Sequence, residues 1–155
     1  MVVLLYRERS NSMPVNMDEN PLGLILSRTY LAYKKTTTRN LSEQDITPEQ
    51  FAVLNELSKA GSHISQKKLA ELTVRDQTTV GKIIDKLIRK GLVTREEDPQ
   101  DRRAVLLCLT AEGLEMNNVL TPKAKQQEQE ALAECSPEEL EAFMNVMNRI
   151  YEKMK

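Results

Sequence analysis

Between Ser65 and Thr110 the apolar residues change their period, and that change narrows what the chain can fold into. Ser65 caps a short helix carrying Leu69, Ala70 and Leu72, and Thr73 to Arg75 reads as a brief turn. Asp76 then caps a second helix, with Val80, Ile83, Ile84, Leu87 and Ile88 on one face. Arg89 and Lys90 lie in its last turn and Gly91 stops it. Beyond Gly91 the helical spacing gives way to two short β-prone runs, Leu92-Val93-Thr94-Arg95 and Val105-Leu106-Leu107-Cys108-Leu109. Glu96 to Ala104 separates them, and with Pro99, Gln100 and dense charge it reads as a hairpin tip.

Helical signals dominate elsewhere. Asn20-Pro21 looks like an N-cap with proline at the first helical position, and Leu22, Ile25, Leu26, Tyr30 and Tyr33 predict a helix to about Thr38. Arg39 to Ile46 is polar and reads as a loop. Thr47-Pro48-Glu49-Gln50 opens another helix as a capping box, with Phe51, Leu54 and Leu57 as its stripe and Gly61 at its end. Thr110 caps a later helix that Pro122 is expected to interrupt. Ser136-Pro137-Glu138-Glu139 is a third capping box, followed by Leu140, Phe143, Met144, Met147, Ile150, Tyr151 and Met154 at spacings of three and four.

The fold class is therefore mainly α with a small antiparallel β-hairpin: a winged helix-turn-helix flanked by terminal helices. Residues 1–17 are expected to be a flexible N-terminus, with Met13 and Met17 as alternative starts. Residues 18–46 form an N-terminal helix and loop, 47–110 the winged unit and 111–155 the C-terminal helices. At 155 residues the chain can bury a core without disulfides, and its two cysteines form no secreted framework. No stretch approaches the ~20 apolar residues of a membrane span, so the chain reads as cytoplasmic.

The net charge of −1 argues against a polyanionic partner, but its distribution argues for one. Ser65 to Arg103 holds ten Lys or Arg against seven Asp or Glu, while Glu115 onward holds five against eight. A helix is the right width for the DNA major groove, and its apolar stripe must face the protein. At about 100° per residue, Thr78, Lys82, Asp85 and Arg89 fall opposite that stripe. Gln77, Thr78, Gly81 and Lys82 are the candidates for base edges, and Thr79 for phosphate. Gly81 costs about 1 kcal/mol inside a helix. Either close approach to the duplex compensates for it, or packing tolerates it. At the hairpin tip Arg102 and Arg103 suit the minor groove, and Asp101 is placed to hold the Arg103 guanidinium.

The run ISQKKLAELTVRDQTTVGKIIDKLIRKGLVTREEDPQDRRAVLLCLTAEG resembles the DNA-binding core of the MarR family of bacterial transcription regulators. Leu69-Ala70, Thr78 to Val80, Lys90 to Val93, Asp101 to Ala104 and Leu109 to Gly113 match its pattern in order. The resemblance implies a homodimer with interlocked terminal helices, a pseudo-palindromic operator, and release by small aromatic ligands or oxidants. It maps the family's wing arginine onto Arg103, the supporting aspartate onto Asp101 and the recognition-helix pair onto Thr78 and Thr79. Where the family commonly has Thr-Arg, this chain has Gly81-Lys82, which bears on base preference rather than on docking. The reactive cysteine of the peroxide-sensing branch, in the first helical region, has no counterpart here.

The remaining candidates have plainer readings. Cys108 alternates as a small buried hydrophobe, and Cys135, just before the Ser136 cap, as an incidental thiol. His63, the one histidine, has no Cys or acidic cluster beside it in sequence and reads as a polar strand residue, so neither metal nor cofactor is predicted. Tyr30 and Tyr33 either line a ligand cavity or pack as core. No phosphate loop or nucleophile-histidine pair marks an enzyme. The alternatives to an operator-binding regulator are a winged helix used for protein contacts and a non-regulatory DNA-binding protein.

Overall fold

The computed structural model describes residues 21–155. The expected flexible N-terminus, the alternative starts and the Asn20 cap lie outside them. Helix α1 (Leu22–Leu41) leads through a 3-10 turn (Ser42–Gln44) to α2 (Pro48–Lys59), β1 (Ile64–Ser65), α3 (Gln66–Leu72) and α4 (Gln77–Arg89). Strands β2 (Val93–Glu97) and β3 (Val105–Leu109) follow, then α5 (Ala111–Leu132) and α6 (Pro137–Met154). The chain divides into two units, one ending at Pro48 and one spanning Glu49–Lys155.

In the first unit Pro21 takes the cap position rather than the first helical one. Its ψ of 144° is extended, and its carbonyl accepts from Leu24 N–H at 2.9 Å. α1 continues three residues past the expected end at Thr38. Thr29, Thr37 and Thr38 keep their hydroxyls inside the helix by donating to carbonyls one turn back, at 2.9–3.0 Å. The predicted loop over 39–46 thereby shrinks to 45–47.

The second unit holds most of the buried apolar side chains among the described residues. Val53, Leu54 and Leu57 of α2 are fully buried, while Phe51 sits at the edge of the buried face rather than in its stripe. The chain leaves α2 through three successive left-handed residues, Gly61, Ser62 and His63 (φ 75°, 65° and 59°). Ser62 is held there from outside: its Oγ accepts from Leu109 N–H at 2.6 Å, across 47 positions. This tie lays β1 antiparallel to β3, with Ile64 opposite Leu107 and Ser65 opposite Leu106.

The sheet consequently has three strands in the order β1-β3-β2, not the two of the expected hairpin. β1 is two residues long, too short for any periodicity to show. β2 runs to Glu97, two residues further than expected, because it pairs with β3 over its whole length from Val93–Leu109 to Glu97–Val105. Successive side chains of a strand face opposite ways. Leu107 and Cys108 are both buried, so the central strand is covered on both faces, and Cys108 is the buried residue expected.

Val80, Ile84 and Leu87 of α4 are wholly inaccessible and Ile83 nearly so, as the stripe predicted; Ile88 is half-buried at its margin. Gly91 (φ 73°) ends the helix, allowing Leu92 N–H to reach back to the Leu87 carbonyl at 3.0 Å. The Thr110 hydroxyl then accepts from Gly113 N–H at 2.9 Å and donates to the Gly91 carbonyl at 2.7 Å. Gly113 rests directly on the Leu92 carbonyl, where a Cβ would overlap the oxygen. That close approach seats the first turn of α5 on the sheet.

α5 passes through Pro122 without the expected break. Proline removes one ladder bond, but Pro122 is exposed and the turn before it keeps its geometry, with Thr121 Oγ1 donating to the Asn117 carbonyl at 2.7 Å. The Ser136 capping box forms as predicted: Ser136 Oγ accepts from Glu139 N–H, and the Glu139 carboxylate accepts from Ser136 N–H. α6 nevertheless buries none of its residues.

Candidate nucleic-acid interface

The entry to α4 is fixed by two residues. Asp76 caps it, accepting from Thr79 N–H at 2.8 Å and from Thr79 Oγ1 at 2.6 Å. The Thr79 hydroxyl and backbone together hold the Asp76 carboxyl below the usual carboxylate range. Gln66, the first residue of α3, donates from Nε2 to the Gln77 carbonyl at 2.9 Å and bridges the two helix starts. Periodicity gave no signal for that bridge, because its partners lie eleven positions apart.

These bonds bear on three sequence expectations. The Thr79 N–H and its one hydroxyl proton both donate to Asp76, so Thr79 serves the cap and has neither donor left for the phosphate contact expected of it. Gly81 does not stand bare for the duplex: the Gln66 amide nitrogen lies 3.0 Å from where its Cβ would be. A side chain at 81 would have to displace the end of the Gln66 side chain. Gln77, Thr78 and Lys82 are all exposed on the free face, as expected. Asp85 shares that face, but its charge is met by Arg95 of β2 at 2.7 Å.

The turn before α4 carries an unforeseen feature. Val74 has φ 52° and is 73% exposed, a β-branched residue where glycine is the ordinary choice. Its N–H donates to the Glu71 carbonyl at 3.2 Å, and Arg75 N–H to the Ala70 carbonyl at 3.0 Å, so the turn is closed by backbone bonds despite the side chain.

The wing tip spans residues 98–104. Asp98 N–H donates to the Ala104 carbonyl at 3.1 Å, and the Asp98 carboxylate accepts from Gln100 N–H at 2.8 Å. Asp101 acts differently from the expectation: its carboxylate accepts from Arg103 N–H at 3.0 Å and so shapes the loop, rather than holding the guanidinium. An aspartate two residues before a backbone N–H closes a local turn more readily than it meets a long flexible side chain. Arg102 and Arg103 are exposed.

The sheet also assembles what the sequence scatters. His63, expected to be isolated, lies with Nε2 3.4 Å from the Glu96 carboxylate, and Cys108 Sγ completes a cluster whose donor atoms all lie within 4.8 Å of one another. His63 is not a strand residue but precedes β1 in the left-handed region. In the first unit Tyr30 and Tyr33 are exposed, which corrects the core-packing reading. A recess on α1 is lined by Leu31, Lys34, Lys35, Thr38, Arg39 and Ser42 and includes neither tyrosine. Among the described residues no helix is long and apolar enough to cross a membrane.

A helix-turn-helix whose second helix is apolar inward and polar outward, backed by a three-stranded sheet with an arginine-tipped wing, is the winged helix-turn-helix fold. The profile of the MarR family matches residues 46–105. Transcriptional regulator HosA of Escherichia coli O111:H- is 34% identical over 107 residues, which is 68% of this chain and 78% of that protein. BpsR of Bordetella bronchiseptica, solved in a study of how 6-hydroxynicotinic acid regulates its DNA binding, superposes with a TM-score of 0.75 at 28% identity, covering 84% of this chain and 98% of that one. MepR of S. aureus, solved with DNA, shares the fold with a TM-score of 0.83 at 24% identity, covering 88% of this chain and 99% of that one. The chain belongs to the MarR family and is a DNA-binding transcription regulator.

Proposed function

We propose that the chain works in the cytoplasm as a homodimer that binds a pseudo-palindromic operator, represses transcription there and is released by a small aromatic ligand. The observation carrying this reading is the start of α4: two independent ties, from Asp76 and Gln66, orient an outward face of Gln77, Thr78 and Lys82. Such a helix end meets base edges in the major groove without reorganising, and Arg102 and Arg103 on the wing reach the adjacent minor groove. Asp101 supports them by setting the loop backbone. Gly81 contributes shape rather than a contact. The reading assigns the protein no catalytic step.

The dimer follows from α6, whose Phe143, Met144, Tyr151 and Met154 are each more than half exposed along one helix. The aromatic ligand rests on the relative regulated by 6-hydroxynicotinic acid and on the exposed rings of Tyr30 and Tyr33. A fluorescence-anisotropy titration of genomic operator fragments at several salt concentrations tests the core of the proposal. Affinity falls linearly on a log-log salt plot if phosphates are contacted, and no binding to any duplex at low salt overturns it. Aromatic acids screened for release of the bound fragment, repeated with Tyr30→Ala and Tyr33→Ala, test the ligand.

A further inference from the structure

We propose that His63, Glu96 and Cys108 form a transition-metal site, suited to Zn2+, in the sheet that carries the wing. The three donors are an imidazole nitrogen, a carboxylate oxygen and a thiolate sulfur, the ligand set zinc accepts. Glu96 lies on β2, Cys108 on β3 and His63 immediately before β1. The β2–β3 register pairs Thr94 with Cys108 and Glu96 with Leu106, which puts Glu96 diagonal to Cys108 on one face. The β1–β3 register pairs Ile64 with Leu107, and one residue back along β1 it brings His63 beside Cys108.

The geometry is close to what a bound ion needs. Tetrahedral zinc with bonds of about 2.0–2.3 Å separates its ligand atoms by roughly 3.3–3.8 Å. His63 Nε2 and the Glu96 carboxylate are already 3.4 Å apart, and no pair in the cluster exceeds 4.8 Å. Closing the remaining gap requires movement only of the two exposed side chains, since Cys108 is fixed in the core at 3% exposure. His63 and Glu96 form a rim with side chains 59% and 54% accessible, so an ion has an entry path and a fourth position open to water.

Binding at this site has to release the Cys108 proton. Burial pushes the Cys108 thiol up, and the Glu96 charge pushes it further, while the His63 backbone N–H opposes them. A carboxylate beside a buried thiol disfavours the thiolate until a cation lies between them, and a bound metal takes the sulfur as thiolate with release of its proton. Ser62 and His63 both adopt left-handed backbone, and the Leu109 bond anchors Ser62, the residue before His63. An ion here would tie the strand before α3 to β2 two residues before Asp98, where the wing begins. Metal occupancy would therefore set how firmly Arg102 and Arg103 are held.

Metal-free full-length protein titrated with Co2+, and then with Zn2+ in competition, tests the site. The expected result is one equivalent of Co2+ with a near-ultraviolet thiolate-to-cobalt charge-transfer band that Zn2+ abolishes. The band persists in Cys135→Ser and vanishes in Cys108→Ser. His63→Ala and Glu96→Gln, at exposed positions that leave the core intact, each weaken binding by at least about tenfold. These two variants carry the test should Cys108→Ser lose its circular-dichroism signal. No charge-transfer band in the wild type, a band that depends on Cys135, or unchanged affinity in both His63→Ala and Glu96→Gln overturns the proposal.

Discussion

The two amphipathic helices of the second unit, α4 and α6, have similar sequence patterns and opposite fates. α4 buries Val80, Ile83, Ile84 and Leu87 against its own chain. α6 carries Phe143, Met144, Met147, Ile150, Tyr151 and Met154 at the same spacings and buries nothing. The difference lies in what the neighbouring sequence supplies. α3 and β2 fold back onto the inner face of α4. Among the described residues nothing buries the matching stripe of α6. An apolar stripe thus predicts a buried face but does not say whose chain buries it.

Four substitutions would break or sharpen this contrast. Leu87→Ala, in the finished half, is expected to remove roughly 2–5 kcal/mol of stability, read by chemical denaturation. A loss below about 1 kcal/mol would mean that the α4 core is not closed by the chain alone. Arg103→Ala is expected to weaken operator binding by about 1–3 kcal/mol in an anisotropy titration while dimer and helicity stay intact. Unchanged affinity would remove the wing from the contact surface. Phe143→Ser should leave unfolding of the winged unit nearly unaltered yet weaken self-association about tenfold or more in sedimentation. If the weight-average mass does not change with this variant, the exposed stripe of α6 is not the interface. Val74→Gly, the mildest, relieves a left-handed β-branched residue and should raise stability by about 1 kcal/mol. A lower melting temperature would show that the valine side chain makes a contact its exposure conceals.

The reasons some elements were readable and others not are local against distant. Ser65, Asp76, Thr110 and Ser136 all cap helices as read, because a cap is decided within four residues. The α4 stripe was readable because its period repeats over thirteen residues. β1 was not, since two residues carry no period and its existence depends on a bond from Ser62 to Leu109. The His63, Glu96 and Cys108 cluster was hidden for the same reason: only strand pairing makes them neighbours. Within the interface, the exposed face of α4 followed from geometry. The roles of Thr79 and Asp101 did not, because a hydroxyl or carboxylate near a backbone N–H has a local partner that competes with the expected one.

Gln66 and Gly81 are joined by this architecture into a single variable. Any side chain introduced at 81 meets the Gln66 amide and tends to lift it from the Gln77 carbonyl, loosening the angle between α3 and α4. A substitution at 81 therefore alters the set of the motif as well as the surface that α4 presents. Substitutions at 66 and 81 should be strongly non-additive in a double-mutant cycle, their effects on affinity differing from the sum of the singles by about 0.5–3 kcal/mol. Among relatives that share this turn, the two positions are expected to vary together: a larger residue at 81 arrives with a smaller one at 66.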